Sequence, residues 1–224
     1  MRSRPPAKSA TDEMPQTGAD LERAVRHYDE LAPDYDYATR RIDGVRARAI
    51  EALRLQPGDV VLDAGCGTGF CFRMIEDAIG PSGQLIGIEP SPAMLARARG
   101  RVHDAGWPNV TLLNTSGEAA QLPAAPTAIL FSYTHDLVRS HAGLSNLFGQ
   151  SRPGARVAAA GTQLFPKWFF PGNWYLYYSH RRYITNFESF DAPWEILGAH
   201  LEGFTVSRQF PGERYLARGS LPAR

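Results

Sequence analysis

Asp63 stands two residues ahead of a glycine turn, Gly65-Cys66-Gly67-Thr68-Gly69, and Glu89 follows it at a distance of 26 residues. Glycines let the backbone approach a ligand closely, but any tight turn from strand to helix demands them, so the acids carry the information. A carboxylate at the position of Glu89 suits a ribose diol, whose hydroxyls it can accept as hydrogen bonds. A pyridine dinucleotide is disfavoured: its glycine pattern meets Phe70, and its pyrophosphate would face Asp63 with like charge. A nucleoside that carries positive charge and no phosphate turns the same acids into an attraction. S-adenosylmethionine, with a sulfonium and an ammonium, is such a ligand.

The elements that must hold these groups follow from the flanking pattern. Gln56-Pro57-Gly58-Asp59 is turn chemistry, and Val60-Val61-Leu62 is a short apolar run suited to a strand buried on both faces. Phe72, Ile75 and Ile79 return to helical spacing until Gly80-Pro81-Ser82-Gly83 stops them. Leu85-Ile86-Gly87-Ile88 reads as a second strand, and Ser91-Pro92 as the cap and first turn of a helix ending near Gly106. Further strands are expected over residues 110–113, 128–131 and 157–160, with one helix over about 137–148 and another opening near Asp191 and Pro193. Residues 204–210 and 214–217 flank Pro211-Gly212 as a hairpin. The expected fold is α/β: a doubly wound, mostly parallel seven-stranded sheet ending in an antiparallel hairpin. Residues 1–20 are expected to be a disordered tail and residues 21–224 one domain, with 21–55 a helical cover.

Composition narrows the function classes. The chain has 224 residues, 24 basic and 23 acidic, and a formal net charge of +1, which gives no electrostatic reason to expect nucleic acid as partner. Its two cysteines, Cys66 and Cys71, make neither a disulfide framework nor a thiolate zinc site, so no metal is expected and a reducing cytoplasm fits. No apolar run reaches the roughly 20 residues that cross a bilayer.

Three ordered segments carry a family resemblance. Val60-Val61-Leu62-Asp63-Ala64-Gly65-Cys66-Gly67-Thr68-Gly69 resembles the first motif of the class I S-adenosylmethionine-dependent methyltransferases. Ile86-Gly87-Ile88-Glu89-Pro90-Ser91-Pro92-Ala93-Met94-Leu95 is similar to the family's acidic ribose-binding segment, and Gly117-Glu118-Ala119-Ala120-Gln121-Leu122-Pro123 to its adenine-binding segment. Tyr28-Asp29-Glu30-Leu31-Ala32-Pro33-Asp34-Tyr35-Asp36 is like the N-terminal cover of small members. The resemblance implies that Gly65 and Gly67 pass under the methionine part, Asp63 orients the ammonium end, and Glu89 holds the ribose hydroxyls. It places Pro90, Met94, Gly117, Glu118 and Ala119 around the adenosine, with Tyr28 and Ser132 completing the cofactor site. Asn114-Thr115-Ser116 lengthens the link before Gly117, and Glu118 stands where aspartate is commoner, so Glu118 reads as an adenine contact, a helix cap or a solvated surface charge.

For the acceptor, the resemblance directs attention to Ser132-Tyr133-Thr134-His135-Asp136 after the strand at 128–131, where the family borders the methyl group. His135 has the unperturbed pKa suited to taking a proton from a hydroxyl or amine, with Tyr133 beside it, although an ordinary loop role is equally compatible. Nine of the nineteen residues from 165 to 183 are aromatic. This density reads as an acceptor lid over 165–200, with Trp168, Trp174, Tyr178, Arg182 and, from the cover, Tyr35 as substrate-binding candidates, or else as core or a dimer interface. The expected partner is a small molecule, amine-bearing or apolar and aromatic, bound by a monomer or homodimer. The expected reaction is methyl transfer to N or O with S-adenosylhomocysteine as product. Transfer of the cofactor's 3-amino-3-carboxypropyl group, or cofactor binding without turnover, are the competing readings.

Overall fold

The computed structural model describes residues 18–32, 35–36, 42–165, 169–180, 190–209 and 212–223. Trp168 and Arg182, most of the residue 1–20 tail and part of the 165–200 segment lie outside the described residues.

The chain builds α1 (Gly18–Leu31), α2 (Asp43–Ala52), β1 (Val60–Ala64), α3 (Phe72–Ile79), β2 (Gln84–Ile88), α4 (Pro92–Ala105), β3 (Val110–Leu113) and β4 (Ala128–Ser132). It continues through α5 (His135–Val138), α6 (His141–Gly149), β5 (Arg156–Thr162), α7 (Phe170–His180), α8 (Glu195–Ala199), β6 (Glu202–Gln209) and β7 (Arg214–Ser220). The seven strands form one sheet in the order β3-β2-β1-β4-β5-β7-β6, parallel from β3 to β5 and antiparallel where β7 meets β5 and β6. This is the doubly wound fold with a terminal hairpin that the sequence pattern implies.

Strand side chains alternate between two apolar layers, as the pleat requires. Val61, Leu85, Leu130 and Ala158 pack against Ala49, Leu53, Phe72, Ile75 and Leu95 on one face. Leu62, Ile86, Ile129 and Val157 pack against Val138, Leu144, Leu147 and Leu197 on the other. Burial on both sides explains why these strands read as continuous apolar runs. The strand order reverses between β1 and β4, so the loops after these strands part and open a crevice at the carboxyl edge.

The helix expected over 137–148 is two helices. Ser140 is extended, and its Oγ accepts the Gly143 N–H at 3.0 Å, capping α6 and ending α5 before it. The last helix starts at Glu195, two residues beyond Pro193, with Trp194 at its N-cap. Ser91 caps α4 through the Met94 N–H at 3.1 Å, and Gly106 closes that helix in the left-handed conformation, as its sequence signals require. Among the described residues no helix is long and apolar enough to cross a membrane, and no group of side chains has the make-up of a metal site.

Candidate functional site

The glycine turn leaves β1 with Gly65, Gly67 and Gly69 all at positive φ. At Gly65 the requirement is twofold: φ is +79°, and a Cβ would lie 2.3 Å from Thr134 Cγ2 of the loop after β4. At Gly67, φ is +56° and a Cβ would meet nothing within 4 Å, so this glycine borders open space. The turn is bound to the neighbouring strand by the Gly65 and Cys66 N–H groups, both of which donate to the Ile88 carbonyl at 2.9 Å.

Glu89 directly follows β2 beneath this turn, 7% exposed. Its Oε2 accepts the Gly67 N–H at 3.0 Å and its Oε1 the Ser91 N–H at 2.9 Å. Burial pushes its carboxyl up to about 7, while the two backbone donors restrain the shift and Asp29 adds to it. Pro90 is half-buried next to it, and Asn114 Nδ2 ties the end of β3 to the carbonyls of Glu89 and Pro90 at 2.9 Å each. The three-residue extension before Gly117 thus begins with a fastening between the second and third strands.

Asp63 is 1% exposed, and neither carboxylate oxygen has a hydrogen-bond partner. Burial pushes this group up to about 7 as well, with Arg46 pulling it down and Glu89 pushing it up. An orphaned carboxylate in a buried crevice is costly unless something cationic arrives. Arg46 of α2 is itself 4% exposed, bonded to Asp43 Oδ1 at 3.2 Å and set over the Phe70 ring at 4.7 Å and the Tyr133 ring at 6.0 Å. The site therefore holds both signs of charge beside open glycine backbone. That suits a zwitterionic amino-acid end attached to a nucleoside.

At the start of α4, Met94 is buried at 1% and packs with Leu31, Ala32 and Tyr28 of the N-terminal segment. Tyr28 and Tyr35 are half-buried and meet edge to face at 6.5 Å, and burial raises the Tyr28 phenol well above its ordinary value. Gly117 is buried with Leu137 Cδ1 2.3 Å from where its Cβ would stand. Ala119 is exposed, and Glu118 Oε1 accepts the Ser140 hydroxyl at 2.7 Å, which engages Glu118 at the N-terminus of α6.

On the other side of the turn, Ser132 closes β4 half-buried. Tyr133 follows at φ +60°, its N–H donating to the Ala160 carbonyl at 2.7 Å. Its hydroxyl is buried without a hydrogen-bond partner. His135 is the first residue of α5, 8% exposed, with its ring 4.9 Å from Phe190 and 6.0 Å from Tyr133. On α7, Trp174 and Tyr178 are 71% and 63% exposed, so their side chains stand at the surface while Leu176 supplies the buried side of the helix. The structure thus gathers Asp63, Gly65, Gly67, Glu89, Tyr133 and His135 along one edge and leaves Trp174 and Tyr178 facing outward. Two charged residues enter the same edge without having been singled out in the sequence: Arg46, and Glu213 just ahead of β7. Each is a single charge with no motif around it, and only the tertiary fold brings it in.

A methyltransferase domain family matches residues 61–154, the stretch from β1 to the turn before β5. The chain is 28% identical over 215 residues to a demethylmenaquinone methyltransferase of Anoxybacillus flavithermus, covering 88% of this chain and 84% of that enzyme. It is 39% identical over 80 residues to a protein-L-isoaspartate O-methyltransferase of Ignicoccus hospitalis, but spans only 36% of this chain and 38% of that protein. Among solved structures, the N-methyltransferase NodS of Bradyrhizobium japonicum WM9 superposes with a TM-score of 0.58 at 16% identity, covering 82% of this chain and 98% of that one, a likeness of fold. The matched stretch carries the glycine turn, Asp63, Glu89 and the Tyr133 loop, and over it the chain is similar to the class I S-adenosylmethionine-dependent methyltransferases.

Proposed function

We propose that the protein transfers a methyl group from S-adenosylmethionine to a nitrogen or oxygen of a small-molecule acceptor, by in-line displacement that leaves S-adenosylhomocysteine. The observation that carries this reading is the buried, unpartnered Asp63 carboxylate beside the open glycine turn, a charge awaiting a cation. When bound, the cofactor supplies a methyl group already activated by its sulfonium.

The chain's own residues bind and orient. Asp63 takes the ammonium and Arg46 the carboxylate of the methionine end, Gly65 and Gly67 lie beneath it, Glu89 holds the ribose, and Glu118 flanks the adenine. Because the leaving group is activated, fixing the acceptor in line supplies much of the acceleration. Tyr133 and His135 border the acceptor, and His135 takes up the proton that an amine or hydroxyl gives away. The names of the relatives, a demethylmenaquinone and an isoaspartate enzyme, differ in acceptor, so this chain's own side chains decide its acceptor class.

Calorimetric titration with S-adenosylmethionine, followed by mass spectrometry of the nucleoside formed with an acceptor library, tests the reading. Binding and S-adenosylhomocysteine are expected. Indifference to the cofactor, or methylthioadenosine as product, would overturn it.

A further inference from the structure

β7 runs antiparallel to β5, so its beginning lies at the same carboxyl edge as the ends of the parallel strands. Thr162 pairs with Arg214 there, and the Gln163 N–H donates to the Glu213 carbonyl at 2.8 Å. Gln163, 1% exposed, spends its side-chain amide on the Gly212 and Arg214 carbonyls at 3.2 and 2.9 Å, which fixes the backbone on both sides of Glu213. Glu213 itself is 9% exposed. Its Oε1 meets Arg214 Nε at 3.2 Å, whereas Oε2 is buried with no hydrogen-bond partner.

Tyr133 stands across β5 from this carboxylate, held at Ala160 of that strand. It is one of two described non-glycine residues at positive φ, a conformation that costs about 1 to 3 kcal/mol and concentrates at functional sites. Its hydroxyl is also buried and unpartnered, and Arg214, Arg46 and Glu213 all act on it electrostatically. Two carboxylates with buried, unpartnered oxygens therefore lie along one edge, Asp63 at β1 and Glu213 at β7. The cofactor's ammonium accounts for the first and leaves the second.

We propose that Glu213 determines acceptor specificity: its Oε2, at the same edge as the buried Tyr133 hydroxyl, anchors a protonated amine carried by the acceptor. This rests on the methyltransferase reading and adds the substrate class. A buried carboxylate oxygen is satisfied by a donor, and a charged donor returns more than a neutral one. An acceptor carboxylate at the same place would meet Glu213 with like charge. Two strand spacings separate β4 from β7, about 10 Å, so an acceptor spanning methyl donor and anchor is a compact molecule with a body between its ends. Two rings lie at this edge, Phe165 at 3.3 Å from a Cβ position at Gly212 and Phe190 against His135.

The test uses three probes with one phenyl body and different heads: 2-phenylethylamine, 2-phenylethanol and phenylacetate. Each is titrated by calorimetry into the full chain loaded with S-adenosylhomocysteine. The amine is expected to bind at least about tenfold more tightly than the alcohol, the difference made by a charge-assisted hydrogen bond. Glu213→Gln is expected to abolish that preference while leaving the alcohol and S-adenosylhomocysteine within about twofold of wild type. Equal affinity for amine and alcohol, tightest binding of the carboxylate, an amine preference that survives Glu213→Gln, or no binding of any probe overturns the proposal. If Glu213→Gln loses S-adenosylhomocysteine affinity through misfolding, Tyr133→Phe replaces it. That variant keeps the ring and must weaken amine binding more than it weakens alcohol binding, or the proposal fails. Wild-type protein that binds no S-adenosylhomocysteine overturns the cofactor reading itself, and this inference with it.

Discussion

Asp63 and Glu89 both titrate near 7 because the fold buries them, and the sign of the consequence follows from linkage. Unfolded, these groups have pKa values of about 3.9 and 4.3, so between roughly pH 4 and 7 the native chain holds more protons than the unfolded one. Stability without ligand therefore falls as pH rises through that window, and is greatest below it as far as these two groups are concerned. Asp63→Asn removes one of them and is expected to flatten the slope of thermal midpoint against pH between 5 and 7, in parallel melts of wild type and variant. A cationic ligand favours the ionised forms, so its binding near pH 6.5 expels protons. Affinity for S-adenosylmethionine is expected to rise from pH 5.5 to 7, before the ligand's own amino group begins to lose charge near pH 8. Calorimetry in buffers of different ionisation enthalpy reads the proton count directly, and a count of zero would show that the carboxylates lie outside the binding site. Glu89→Ala is expected to weaken binding by about 1 to 3 kcal/mol, the worth of charge-assisted hydrogen bonds to a diol. A titration that returns wild-type affinity removes Glu89 from the site.

At the scale of elements, the glycine turn separates folding from binding. Gly65→Ala must adopt φ +79° with its methyl 2.3 Å from Thr134, and should cost about 2 kcal/mol or more in stability. Gly67→Ala sits at φ +56° with no atom within 4 Å, so about 1 to 2 kcal/mol of backbone strain is its whole cost to the fold. Its methyl enters the space above the turn and is expected to lower cofactor affinity more than Gly65→Ala does per unit of stability lost. Denaturation curves and titrations of both variants settle the ranking. The turn was legible in the sequence because its determinants are local: glycines, a strand ending in Asp63, and the next strand ending in Glu89. Ser91-Pro92 announced α4 for the same reason. Where determinants are distant, the pattern was silent. The break between α5 and α6 hangs on one serine, Ser140, whose side chain competes with the helix for a backbone N–H. Arg46 and Glu213 are ordinary charges until β5, β7 and α2 are brought together. The aromatic density of 165–183 was visible, but not which way α7 turns it, and Trp174 faces outward.

At the scale of the whole chain, two acids among the described residues of the N-terminal segment fasten it to the crevice, beside the apolar packing on Met94. Asp29 Oδ1 accepts the Ser91 hydroxyl at 2.5 Å and the Ala93 N–H at 3.1 Å, binding α1 to the start of α4 directly beside Glu89. Asp36 accepts the Thr68 hydroxyl at 2.5 Å, bonds Arg101, and lies 3.7 Å from Arg97. Arg101 in turn donates from Nε to the Thr68 carbonyl at 2.8 Å, so the glycine turn, α4 and the cover share one knot of charge. Any ligand lying between turn and cover must loosen these contacts to leave, whereas the Arg97 and Arg101 side chains, 42% and 38% exposed, leave the knot open to salt. Asp36→Ala is accordingly expected to accelerate dissociation of S-adenosylhomocysteine severalfold in stopped-flow chase experiments while changing the association rate little. Raising ionic strength should reproduce part of that acceleration in wild type and add little in the variant, because the charges it screens are already unpaired there. Dissociation rates that coincide in the two proteins at low salt would mean that the knot secures the cover without controlling the exit of the ligand.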